Sequence, residues 1–261
     1  MSMFSQESGS LRKIGLIKPR SSLPQQVRLT HARGPIDVQL KHNARAKRLI
    51  LRLDGRTGEP VATCPPGISV KKVSQFLQAH VDWLVDKQQG RPPNVAFEHG
   101  AVVPIRDQPH TLEHLDQARG TVRVLEDEGE KILLVSGNES HMARRVTDWL
   151  KKEARADLSA AVALHSDKIG VKPSSLRIKD TTSRWGSCSS ARVLSFSWRI
   201  IMAPPSVLNY LAAHEVAHLR EMNHSDRFWA HVQALCPDYE EGKKWLRQNG
   251  RRLHTYGVEP E

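Results

Sequence analysis

Cysteine is scarce in this 261-residue chain: Cys64, Cys188 and Cys236 lie far apart and form no Cys-x-x-Cys pair. That argues against a disulfide framework and a cysteine-built zinc site, and it fits a reducing cytosol. Long apolar runs are missing too. Residues 1–26, rich in Ser, Gln and basic residues, contain no stretch that could serve as a signal-peptide core, and no later segment approaches a membrane span. A soluble, cytoplasmic protein with no membrane partner is expected. Aromatic residues make up 5% of the chain, and no aromatic-rich platform, helix-turn-helix or zinc ribbon can be discerned. Acidic residues are in deficit, 28 against 39 Lys and Arg, for a formal net charge of +11. Such a surplus allows a nucleic acid or nucleotide as partner, but a total says nothing about clustering.

What is present is histidine in a particular arrangement. His214-Glu215-Val216-Ala217-His218 is followed by His224. Two histidines four apart project from one face of a helix, one turn above the other, so both rings can reach one metal ion. Glu215 then lies beside the metal without having to ligate it, where a hydrolytic site needs a base for water. On a straight helix His224 would lie about 15 Å along the axis from His214, so the helix must stop first. Asn223 tolerates the left-handed conformation that closes a helix, and Ser225 reads as the N-cap of another. His214, His218 and His224 can then fill three corners of a tetrahedron and leave the fourth open, as in catalytic zinc sites, with one Zn2+ per chain. Glu240 or Glu241 is the rival for the third position. A chance match to all four residues has a probability of roughly 0.002.

The chain reads as a flexible tail over 1–26, a β-rich region with one helix over 27–138, and a catalytic domain over 139–261. Alternating segments at Val27–Leu29, Ile36–Leu40 and Leu49–Leu53 read as strands. Ser69 caps a helix whose apolar face includes Val73, Leu77, His80 and Leu84, with His80 expected in the core. Strands return over 101–135. A long amphipathic helix spans 138–169 and stops at Gly170. Leu176–Lys179 and Val193–Ile201 read as strands, and the latter, next to the metal helix in sequence, is a candidate for holding an extended peptide. Pro204-Pro205 opens the metal helix.

Further motifs carry a resemblance. Arg184-Trp185-Gly186-Ser187-Cys188, Trp198-Arg199-Ile200-Ile201-Met202-Ala203-Pro204-Pro205, Tyr210, the histidine motif, Phe228-Trp229 and Cys236-Pro237-Asp238-Tyr239 resemble the YgjP-like metallopeptidase family, whose metal motif is similar to that of SprT-like and Wss-type proteases. Val216 stands where that family more often has leucine. The resemblance implies an α+β fold: a zincin-like C-terminal domain behind an N-terminal mixed, mainly antiparallel β-sheet region. It also implies His214, His218 and His224 as zinc ligands and Glu215 as base. The expected activity is zinc-dependent hydrolysis of peptide bonds in a polypeptide substrate. The alternatives are a metal-dependent nucleotide phosphohydrolase and a nucleic-acid-associated protease acting on DNA-bound proteins. Arg184, Ser187 and Arg199 are candidate cleft or substrate-binding residues, while Trp185 and Cys188 are expected to pack.

Overall fold

A computed structural model of the chain describes residues 23–117 and 120–258; most of the expected N-terminal tail lies outside them. The fold is α+β. Strands β1 (Gln26–Leu29), β2 (Ile36–His42), β3 (Ile50–Leu53) and β4 (Pro60–Cys64) form a sheet ordered β1-β2-β4-β3. Strands β5 (Val102–Ile105), β6 (Gln108–Leu115), β7 (Val122–Asp127) and β8 (Glu130–Ser136) form another, ordered β5-β6-β8-β7. The two share one topology: the central pair runs parallel and each edge strand is antiparallel to its neighbour. This recurrence has no counterpart as a sequence repeat, because alternation fixes which face is apolar and leaves the identity of each side chain free.

Between these sheets come α1 (Val70–Gln78) and α2 (Val81–Gln89). The sequence predicts one helix here, and the chain makes two. The His80 ring bonds the Phe76 carbonyl through Nδ1 at 2.8 Å, while the His80 backbone N–H turns to Leu77 at 3.0 Å. The local turn tightens and the axis changes direction. His80 is accordingly exposed and not in the core. Ser69 caps α1 as expected, accepting from the Lys72 N–H.

Two cores result. A smaller one joins Leu29, Val38, Ala62 and Cys64 to Val73, Leu77 and Leu84. A larger one runs from Phe97 to Tyr256 and includes the β5–β8 sheet. Its spine is α3 (Met142–Ile169), preceded by a 3₁₀ turn at Glu139–His141 and ended by Gly170 at φ 67°. Val146, Leu150, Ala154, Leu158 and Val162 form its fully buried stripe.

The third sheet, β9 (Ser175–Lys179), β10 (Gly186–Cys188) and β11 (Val193–Ser197), is ordered β10-β11-β9. The strand expected to reach Ile201 ends at Ser197, where Trp198–Met202 coil into a fully buried 3₁₀ turn. That turn is pinned from outside: the Arg106 N–H donates to the Ile201 carbonyl at 2.7 Å, and the Arg106 guanidinium holds Asp157 and Glu153 of α3. Helix α4 (Pro205–Ala217) follows with proline in its first turn. It is apolar nearly all round and buried, as a central helix must be. After it come α5 (Asp226–Leu235) and α6 (Tyr239–Asn249). Among the described residues no helix is long and apolar enough to cross a membrane.

Candidate metal centre

Helix α4 delivers His214 and Glu215 in its last turn and ends at Ala217, with His218 as its C-cap. The stop comes earlier than Asn223, which does not adopt the left-handed conformation. Instead the N–H groups of Leu219, Arg220 and Glu221 fold back onto the Val216 and Ala217 carbonyls, closing the helix in a tight turn. The chain then reverses, and His224 returns to the mouth of the helix just before Ser225 caps α5. The ligand atoms of His214, His218 and His224 lie within 4.8 Å of one another, and no other such group of His, Cys, Asp or Glu occurs among the described residues.

The geometry fits a metal. Nε2 of His224 faces Nε2 of His214 at 3.2 Å, close to the edge of a tetrahedron with Zn–N bonds of about 2 Å, roughly 3.3 Å. His218 Nδ1 meets the Glu221 carbonyl at 3.1 Å. A carbonyl only accepts, so Nδ1 carries the proton and the Nε2 lone pair is free to coordinate. Burial, then the neighbouring His218 and His224, push His214 down to about 3, and burial first also lowers His218. Both rings are therefore held in the neutral form that metals bind. Three imidazoles suit a first-row transition ion or zinc better than Mg2+ or Ca2+.

Aromatic rings hold this cluster from below. Phe228 of α5 lies 4.9, 4.4 and 4.7 Å from the rings of His214, His218 and His224. Trp229 flanks His214 and His224 and is itself stacked on Tyr239. Helical spacing alone marks Phe228 and Trp229 as packing residues; that they pack on the histidines follows only from the reversal of chain at 218–225.

Glu215 is 4% exposed, and its Oε2 has no hydrogen-bond partner. Burial pushes its carboxyl up to about 8, against the pull of the Arg184 charge. A divalent cation beside it would act in the opposite direction to burial. The carboxylate abuts β10 so closely that a Cβ on Gly186 would come within 2.4 Å of Oε1. A cavity of about 400 Å³ opens here, lined by Glu215, His214, Gly186, Trp185, Tyr210, Lys243 and Arg247 among others. Tyr210 is buried, which raises its phenol to about 12.

The remaining candidates divide. Arg184 is exposed and close enough to act on Glu215, and with Ser187 it lines a second pocket across β10. Trp185 is half-buried, stacks on His254 at 4.7 Å and lines the cavity, so it both packs and borders the site. Arg199 does not line it. Its guanidinium is 4% exposed and grips Asp180 at 2.8 Å and the Leu253 and Tyr256 carbonyls, leaving no donor directed at a substrate. Glu240 is paired with Lys243 at the surface, and neither it nor Glu241 joins the histidine group. Strand β11, proposed from its sequence position as a peptide-holding edge, is paired on both sides; the edge strands are β9 and β10, and β10 is the one that lies against Glu215.

The family described as YgjP-like, metallopeptidase domain matches residues 47–249. No curated protein matches the chain. Among solved structures, the metallopeptidase zymogen of Pyrococcus abyssi abylysin is similar at a TM-score of 0.33 and 19% identity, covering 36% of this chain and 96% of that one.

Proposed function

The chain belongs to the YgjP-like metallopeptidase family, and on that premise we propose that it is a zinc-dependent endopeptidase in which Glu215 handles the proton. The observation that carries the reading is the three-histidine cluster beside a buried carboxylate with an unengaged oxygen. His214, His218 and His224 would hold the zinc, which when bound would supply Lewis acidity toward water and the scissile carbonyl. Glu215 accepts the proton of the attacking water at Oε2 and returns it to the departing amine. The carboxylate is buried, and Gly186 lies against it from one side, leaving no space there for a larger residue. The free edge of β10 offers backbone N–H and C=O groups to an extended peptide beside Glu215.

The test is Glu215→Gln, which keeps shape and loses the ability to take a proton. Zinc should stay bound in stoichiometric amount while hydrolysis of an unstructured polypeptide falls by about 10²–10⁴-fold. Full turnover with zinc in place would show that Glu215 is not the base.

A further inference from the structure

The outer face of the third sheet carries a basic pocket of about 340 Å³. Strand register sets Ser187, Ser195 and Arg177 side by side across β10, β11 and β9. Alternation puts Lys179 on the same face two residues beyond Arg177, and Thr181 and Arg184 close the end. No lining residue is acidic. Arg177, Lys179 and Arg184 are exposed and make no ion pair among the described residues. The nearest acid in sequence, Asp180, is committed to Arg56 and Arg199. Arg177 and Lys179, with Arg184 adding a third positive charge that also acts on Glu215, surround the hydroxyls and attract an anion.

Gly186 belongs both to this pocket and to the cavity that holds Glu215. A chain paired with the free edge of β10 would turn alternate side chains toward α4 and toward the pocket. We propose that the pocket is a specificity site for a carboxylate side chain, Asp or Glu, of a polypeptide held along β10, with Arg177, Lys179 and Arg184 as its cationic partners and Ser187 as a hydroxyl donor. The proposal rests on the peptidase reading. A peptide is favoured over a phosphate-bearing ligand because the adjoining strand edge presents unpaired backbone groups that another backbone satisfies and a nucleotide does not.

The experiment uses fluorescein-labelled extended peptides carrying Glu or Gln at successive positions, with affinity read by anisotropy on zinc-loaded Glu215→Gln protein. At low salt and at one position, the Glu peptide should bind about tenfold more tightly than its Gln twin. The double variant Arg177→Gln, Lys179→Gln in the same background should bring the two within about twofold, and Arg184→Gln should do so in part. Both altered side chains of the double variant are exposed, and an unchanged circular dichroism spectrum checks its fold. Equal binding of the twins at every position overturns the proposal, as does a preference that survives in the double variant. Displacement of both twins by adenosine triphosphate, with no preference between them, would assign the pocket to phosphate and overturn it as well. Cleavage of the same peptides by wild-type protein is scored separately. Discrimination without cleavage keeps the pocket and removes the peptidase reading, and cleavage without discrimination does the reverse.

Discussion

Gly186→Ala is the smallest change that should separate metal binding from catalysis. An added Cβ would meet Glu215 Oε1 at 2.4 Å and its Cδ and Cγ at 2.7 Å, whereas comfortable contact needs about 3.5 Å. Something must move by about 1 Å. The carboxylate is walled in by burial, and Gly186 is tied to Phe196 in the sheet register, so the displacement is shared between the base and the strand edge. A misplacement of about 1 Å at a reacting group costs about 10²-fold in rate. The overpacking itself costs about 1–3 kcal/mol, or roughly 5 °C in melting temperature for a chain of this size. The histidines are not touched, so zinc should remain. The assay measures zinc content, thermal melting and peptide hydrolysis on one preparation of each protein. Hydrolysis within twofold of wild type would refute the argument, for it would mean that the carboxylate has room to move freely or takes no part in the reaction.

His218→Ala and His224→Ala should each abolish stoichiometric zinc binding, and Glu240→Ala should leave it intact; metal analysis after dialysis reads the order, and the reverse order would restore the glutamate as third ligand. In metal-free protein Glu215 titrates near 8, above its ordinary 4.5. Its contribution to stability is therefore complete below about pH 4.5 and lost as pH rises toward 8. His214, depressed to about 3, works the other way, contributing above pH 6.5 and losing that contribution as pH falls toward 3. Between pH 5 and 8 metal-free wild type should thus lose on the order of 5 °C relative to metal-free Glu215→Gln in calorimetry; parallel melting curves would contradict the burial argument. Arg199→Ala should destabilise the fold by about 3 kcal/mol, because it strands two carbonyls and half of the Asp180 pairing. The remaining folded enzyme should keep its KM, and a raised KM would return Arg199 to the substrate cleft.

The histidine motif was legible because metal chemistry demands particular residue types at a particular spacing, and α4, α5 and the Ser225 cap follow from local rules that act within a few residues. The same holds for α3 and its end at Gly170, where periodicity and a left-handed terminal residue agree. Local rules misplaced what depends on competition between neighbours. His80 divides a continuous apolar pattern by taking a carbonyl from the helix backbone, and the α4 terminus is set by a turn that needs no left-handed residue.

Tertiary structure alone decided the rest. That β11 is central and β10 is an edge strand depends on the pairing of β11 with β9, a parallel partner that precedes β10 in the chain. Arg199 is a cleft or substrate-binding candidate in the sequence and becomes a buried strut because Asp180 and the Leu253 and Tyr256 carbonyls converge on it from segments distant along the chain. Arg177 and Lys179 read as the solvated side of a strand until register sets them beside Ser187 and Ser195. Sequence by itself determined which atoms can bind a metal and take a proton, because those properties belong to single side chains and to spacing within one helix. What surrounds those atoms, and therefore how strongly Glu215 holds its proton and which substrate reaches it, is a property of distances across the fold that no local pattern encodes.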